Sequence, residues 1–424
     1  MFNYTKEQEM GIKMRGRDML ISAAAGSGKT RVLVDRIVDM VVSDGISLKN
    51  MLVVTFTRAA AGEMRARLEK ALQEVSFSEG ATYAPTLGEP EFLKVLEKSV
   101  FLDKKPKAFL GTVTTPGGTA ALRNASFNYL ELGERCTTTD FYWSNYKNLL
   151  AENGRFLETF STFDKKDRFN LEACLNTCQA VAKKQRNVML LLNTPAHNPT
   201  GCELSYEEWE SLVDGLKTLS QNGKNNVILV VDVAYIDFAE EQSRDFFLLF
   251  EGLPENFLVI ICTSMSKGYS LYGYRLGAMI ALSQSQAVID EFISANSASA
   301  RATWSNSSRP AMMAICAIYG NRERLKAFRQ EERYLANILK ERATLFLDEA
   351  KALGLKLCPY QSGFFVTIPL ESQEKAIKVA DALVSKEVFV VPQGRGIRLA
   401  ICAISKVRLK GLAKFIQDVI GEVK

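Results

Sequence analysis

Short apolar runs rich in β-branched residues recur along the chain, at 51–55, 188–193, 227–232, 257–263 and 276–282. Most end in a polar or charged residue followed by a turn. Helical patterns lie between them, such as 118–130 and 205–221. A strand covered by helices on both faces reads as an unbroken apolar run, whereas a half-exposed strand alternates. The pattern predicts an α/β fold with a mixed, mostly parallel sheet flanked by helices. Past residue 308 the texture changes. A long charged helical stretch at 322–352 precedes short strands near 364–368, 388–391 and 397–402, and an amphipathic helix at 406–423 closes the sequence. That reads as a smaller C-terminal α+β domain.

Composition narrows the function classes. The 424 residues suggest two or three domains, and 47% hydrophobic with 24% charged residues suits a globular protein with a sizeable core. Collagen-like, coiled-coil and disordered classes are excluded. The formal charge of +5, from 53 basic and 48 acidic residues, is too weak to imply nucleic-acid or membrane binding by itself. A single histidine, His197, removes most His-based metal sites and Ser/His/Asp triads, and no metal is expected. Eight cysteines occur without a Cys-x-x-Cys pair; Cys174 and Cys178 lie one helical turn apart. They read as buried thiols in a reducing compartment. The N-terminus lacks the apolar core of a secretory signal, and no apolar run approaches the ~20 residues of a membrane span. A cytoplasmic protein is expected.

Residues 23–30, Ala-Ala-Ala-Gly-Ser-Gly-Lys-Thr, fit a phosphate-binding loop between an apolar run at 19–22 and a helical pattern at 31–42. Backbone N–H groups around Gly28 would cradle phosphates, Lys29 would reach the β/γ oxygens and Thr30 would hold Mg²⁺. Together with residues 4–8 and 52–64, this stretch resembles the opening of superfamily I DNA helicases of the helicase–nuclease type. The resemblance implies that Gln8 contacts adenine and that the Thr-Phe-Thr segment at 55–57 lines a single-strand path. The pattern stops after Leu72: the acidic metal-and-water motif, arginine fingers and second RecA-like domain do not follow. Hydrolysis depends on those parts, so residues 1–75 could at most bind a nucleotide or DNA, or merely supply helices and a strand that cover the rest.

A second set of signals lies further on. Lys267 stands between small residues after a buried strand, with Arg275 eight positions later in Ser264-Met-Ser-Lys-Gly-Tyr-Ser-Leu-Tyr-Gly-Tyr-Arg-Leu-Gly277. A lysine is nucleophilic only when partly deprotonated, which burial and nearby cations favour. A guanidinium suits a phosphate because its fork makes two parallel bonds. Asp232 ends a strongly apolar strand, where a carboxylate is costly without a cationic partner. A protonated pyridine nitrogen would serve, and Tyr235 follows three residues on. Asn198 lies in the loop Asn193-Thr-Pro-Ala-His-Asn-Pro-Thr-Gly201, and Gly118 and Thr119 open a helix that suits an anion.

Residues from about 80 to 424 resemble fold-type I pyridoxal-phosphate aminotransferases of the aspartate/aromatic class. The resemblance implies pyridoxal 5'-phosphate as cofactor, with Lys267 as its Schiff-base lysine and proton carrier. It implies Asp232 on the ring nitrogen, Asn198 and Tyr235 on the ring oxygen, and Trp143 against the ring face. Gly118, Thr119, Ser264 and Arg275 would hold the phosphate, and Arg398 the substrate carboxylate. Tyr83 and Arg301 match residues that cross to a neighbouring protomer, implying a homodimer with shared sites. Arg301 would favour aspartate or glutamate, or swing aside for aromatic side chains; both remain open. The implied reaction is a ping-pong transamination between an amino acid and a 2-oxo acid. A PLP-binding protein with impaired turnover is the alternative, because the helicase-like stretch stands where the family's N-terminal arm belongs. His197 is read as a hydrogen-bonding support, since the lysine already serves as acid and base. The expected domains are 1–75, a cofactor-binding large domain at 80–305, and a small domain at 306–424.

Overall fold

The computed structural model describes residues 6–14, 39 and 69–423. The expected strand at 51–55 and the loop residues Gly28, Lys29 and Thr30 lie outside them. Two compact units divide at residues 58 and 59. In the first, Lys6–Lys13 is helical and includes Gln8.

The main sheet of the second unit has seven strands: β1 (Phe109–Thr115), β2 (Arg135–Thr139), β3 (Phe156–Phe160), β4 (Asn187–Asn193), β5 (Asn226–Asp232), β6 (Phe257–Ser264) and β7 (Gly277–Ser283). They lie in the order β1-β7-β6-β5-β4-β2-β3, and β7 runs against the other six. This is the mixed, mostly parallel sheet expected. Four of the five apolar runs became β4 to β7, with every residue of β6 and β7 buried. Helices cover both faces. One apolar cluster gathers Trp209, Leu216, Phe247 and Phe328; the other gathers Leu122, Tyr146 and Phe292. Helical residues 69–73 belong to this unit: Ala71 lies in the first cluster, and Glu74 pairs with Arg324.

Register then places chemistry at one end of the sheet. Asn193 pairs with Asp232, and Asp232 with Cys262. Ser264 and Thr115 both pair with Gly277. In open α/β sheets, ligands collect beyond the carboxyl ends of such strands.

A second sheet, β8 (Phe365–Pro369), β9 (Val391–Gln393) and β10 (Gly396–Ala400), has the order β8-β10-β9. It shares an apolar cluster with the helices Arg322–Leu353, Gln373–Ser385 and Leu412–Glu422. Two expectations need correction. The strand near 388–391 begins only at Val391, because Val388 closes the preceding helix through its N–H to the Leu383 carbonyl. The closing helix is broken into Lys406–Leu409 and Leu412–Glu422 by Gly411, whose φ of 80° no continuous helix accommodates.

Candidate active site

Asp232 is the last residue of β5 and is only 6% exposed. Tyr146 donates to its Oδ2 at 2.7 Å, and the Ala234 N–H to its Oδ1 at 3.1 Å. Burial pushes the carboxyl pKa up; the two donors and Lys267 pull it down, and burial prevails. Lys267 lies in the short helical turn Met265–Gly268 that follows β6. Its Nζ is 5.6 Å from the Tyr235 ring centre and 5.9 Å from that of Tyr272. Burial pushes its amine pKa down, with Arg275 adding to the effect and Asp232 opposing it. The strand end thus holds a carboxyl whose pKa burial raises and an amine whose pKa burial lowers.

Asn193 ties the next loop to this pair. Its Nδ2 donates to the Asp232 carbonyl at 2.8 Å, and its Oδ1 accepts from the Asn198 N–H at 2.6 Å. The Asn198 side chain then bridges two groups. Its Nδ2 reaches Tyr235 Oη at 3.5 Å, and its Oδ1 accepts from Arg398 Nη1 at 2.8 Å. Arg398 projects from β10 over the Phe365 ring, 4.2 Å from its centre. Its Nε is buried with no hydrogen-bond partner. Tyr235 packs edge-on against Phe364 and Phe365.

Beside the lysine is a backbone concavity. Gly117, at φ 88°, precedes the helix Gly118–Tyr129, whose first turn includes Thr119. An ideal Cβ on Gly117 would fall 2.5 Å from Arg275 Nη2, and one on Gly277 would fall 2.5 Å from the Gly117 carbonyl carbon. A Cβ on Gly118 would meet that of Ser264 at 3.1 Å. Small residues therefore let Arg275, Ser264 and a helix N-terminus converge. Free N–H groups at such a terminus attract anions.

The structure brings together Lys267, Asp232, Tyr235, Asn198, Arg398, Ser264, Arg275, Gly118 and Thr119. Trp143 joins through its edge-on contact with Tyr146, at 5.7 Å between ring centres. Tyr83 is 82% exposed, and Arg301 is exposed near the end of the helix Gln286–Thr303; neither bonds to the cluster within the chain. His197 is buried, with Nδ1 2.7 Å from Thr200 Oγ1, and burial pushes its pKa down to about 4. Sequence reasoning missed Tyr146, Asn193 and Phe365. A cavity of about 1000 Å³ lies elsewhere, lined by Asp237, Arg244, Glu332 and Tyr360 but by none of Lys267, Asp232 or Arg398. Among the described residues no helix is long and apolar enough to cross a membrane.

Comparison with known proteins follows the same division. The family model for aminotransferase class I and II matches residues 56–416. The chain is 31% identical over 210 residues to the aromatic-amino-acid aminotransferase of Paracoccus denitrificans, covering 47% of this chain and 50% of that protein. It thus spans about half the length of that curated relative. The crystal structure of an aminotransferase from Anaerococcus prevotii superposes with a TM-score of 0.79 at 33% identity, covering 84% of this chain and 86% of that one. A separate match, 55% identical over 74 residues, is to an ATP-dependent helicase/nuclease component of Alkaliphilus metalliredigens; it covers 18% of this chain and 6% of that protein.

Proposed function

The chain belongs to the class I and II aminotransferases, and on that premise we propose that it moves amino groups between an amino acid and a 2-oxo acid, with pyridoxal 5'-phosphate as cofactor. When bound, that cofactor supplies an electron sink for negative charge at the substrate Cα. The residues fit it. A buried carboxyl at Asp232 awaits a ring N–H, and the Gly117–Gly118–Gly277 concavity with Ser264 and Arg275 accepts a phosphate. The observation that carries the reading is the joint placement of Lys267 and Asp232 at the ends of adjacent strands.

Each side chain then has a task. Lys267 would hold the cofactor aldehyde and, with its amine pKa pushed down by burial, would carry the substrate Cα proton. Asp232 would pair with the ring N–H. Asn198 and Tyr235 would hold the ring oxygen, and Trp143 would lie against the ring. Thr119 and Gly118 would donate to the phosphate. Arg398 grips the substrate carboxylate, and its spare Nε gives it a second donor. Donor and acceptor use this one site in turn.

The exposure of Tyr83 and Arg301 supports a homodimer in which both reach the partner's site. Arg301 there fits an acidic substrate, and its outward swing an aromatic one. Residues 80–305 supply the cofactor domain, but the expected boundary at 306 moves into the helix Arg322–Leu353, because Ala311, Met312, Ile315 and Phe328 pack in the main-sheet cluster while Ala343 and Phe346 pack with the small sheet. Eight free thiols support a reducing, cytoplasmic setting. The short, highly identical match supports a second reading for residues 1–75, a helicase-derived segment that binds nucleotide.

Borohydride reduction of the protein with PLP tests the main reading. The expected result is cofactor mass fixed on the Lys267 peptide, and none in Lys267→Ala. Equal labelling of both proteins would end it. ATP binding lost in Lys29→Ala tests the second.

A further inference from the structure

Two residues with no role so far meet beside the reactive lysine. Gly268 ends the turn Met265–Gly268, directly after Lys267, and Asp237 lies in the tight turn Ile236–Phe238 that follows Tyr235. An ideal Cβ on Gly268 would fall 1.9 Å from Asp237 Oδ2 and 2.8 Å from its Cγ. The carboxylate therefore occupies the volume that any side chain at 268 would need. Gly268 is not among the positive-φ glycines. Its backbone would accept alanine, and it is the carboxylate that forbids one.

Asp237 cannot easily step aside. Its Oδ1 accepts from Arg244 Nη2 at 3.1 Å, with the two side chains 17% and 4% exposed. Arg244 Nε in turn donates to the Val100 carbonyl at 3.2 Å. Moving the carboxylate would strand a buried guanidinium. On the other side of the turn, Tyr269 stacks on Phe328 at 5.0 Å and its hydroxyl lies 3.1 Å from that of Tyr319. Lys267 thus precedes two consecutive residues that are each held in place.

We propose that Asp237 is a positioning residue for Lys267: locked by Arg244, its carboxylate packs against Gly268 and sets the direction in which the amine leaves the turn. This rests on the reading of Lys267 as the reactive amine. An aspartate and a glycine form a matched pair, and each makes sense only with the other.

Four variants test it: Gly268→Ala, Asp237→Ala, the double variant, and Asp237→Asn. One readout is trace acetylation of Lys267 by acetic anhydride in PLP-free protein, measured by peptide mass spectrometry against an exposed lysine. The other is kcat and KM of the PLP-loaded protein. Gly268→Ala is expected to raise Lys267 labelling at least 3-fold and lower kcat at least 10-fold, with KM within 3-fold. The double variant should regain at least 5-fold of that kcat, because the clash is gone. Asp237→Asn, of the same shape, should stay within 3-fold of the parent. Gly268→Ala behaving like the parent, or a double variant no better than Gly268→Ala, overturns the proposal. Should Gly268→Ala not fold, the aspartate series decides: Asp237→Ala matching Asp237→Asn overturns it, and a loss confined to Asp237→Ala supports it. Failure of the parent to fix PLP on Lys267 sinks the functional reading alone, since the labelling comparison still reports on Asp237.

Discussion

Arg398 donates to Asn198 Oδ1 at 2.8 Å, so the group proposed to grip substrate is already oriented by the amide proposed to hold the cofactor. The remaining face of the guanidinium is not satisfied: Nε is buried without a partner. A carboxylate would supply the missing acceptor with two parallel bonds, which an ammonium cannot match. Arg398→Lys is therefore expected to raise KM for both amino acid and 2-oxo acid by about 30-fold, close to 2 kcal/mol of charge-assisted bonding. PLP attachment should be unchanged. Steady-state kinetics with unaltered KM values would contradict this.

Tyr146 gives Asp232 its shortest hydrogen bond, at 2.7 Å, inside a region where burial already favours the neutral carboxyl. Tyr146→Phe keeps the ring beside Trp143 and Tyr142 but removes the O–H donor. The carboxyl pKa should rise further, weakening the charge offered to a ring nitrogen. Loss of one donor to a charged group is worth about 1–3 kcal/mol, so kcat should fall by about 10-fold or more. Infrared spectroscopy should show more protonated carboxyl in the variant. A variant with the parent's kcat and infrared signature would show that the bond has no electrostatic role.

Gly277 sits where three backbone segments close on one another. Its ideal Cβ would lie 2.5 Å from the Gly117 carbon, 2.6 Å from the Gly118 nitrogen and 2.8 Å from the Thr263 oxygen. Backbone cannot yield as a flexible side chain does, so Gly277→Ala must displace the start of the helix Gly118–Tyr129. The expected outcome is at least a 100-fold weaker affinity for PLP, measured by fluorescence titration. Gly421→Ala, within the helix Leu412–Glu422, outside the positive-φ glycines and with no atom within 4 Å of its Cβ position, serves as a control that should bind PLP normally.

These sites differ in how plainly the sequence showed them. β4 to β7 were readable because strands buried on both faces are apolar throughout. β2 hides inside the same sheet as Arg-Cys-Thr-Thr-Thr, a polar run that two of its hydroxyls make tolerable: Thr138 donates to the Leu191 carbonyl at 2.7 Å and Thr139 to the Phe141 carbonyl at 2.5 Å. Lys267, Asp232 and Asn198 announce themselves because each ends or follows an apolar strand. Tyr146 does not, since its partner lies 86 positions away and no spacing shows that its helix folds over β5. The Asp237–Gly268 pair is equally silent, because a missing side chain is informative only once its neighbour is known.

His197, the chain's one histidine, offers the most direct check on the electrostatics of the cofactor loop. It is buried between Thr200 and Cys202, and burial holds its pKa near 4, against 6.5 for a free imidazole. Its folded-state pKa lies below its unfolded value, so the native state resists a proton that the unfolded chain accepts. The stability tied to this neutral ring is fully present above pH 6.5. It is lost as pH falls from 6.5 towards 4, to a total of about 3 kcal/mol. Because there is one histidine, its imidazole proton resonance needs no assignment. It should stay unshifted from pH 8 down to about 5 in the folded protein. His197→Gln should lose less stability than the parent between pH 7 and 5, by about 2 kcal/mol, in denaturant titrations. A resonance that titrates near 6.5 would place the ring in solvent and remove its support from the loop that carries Asn198.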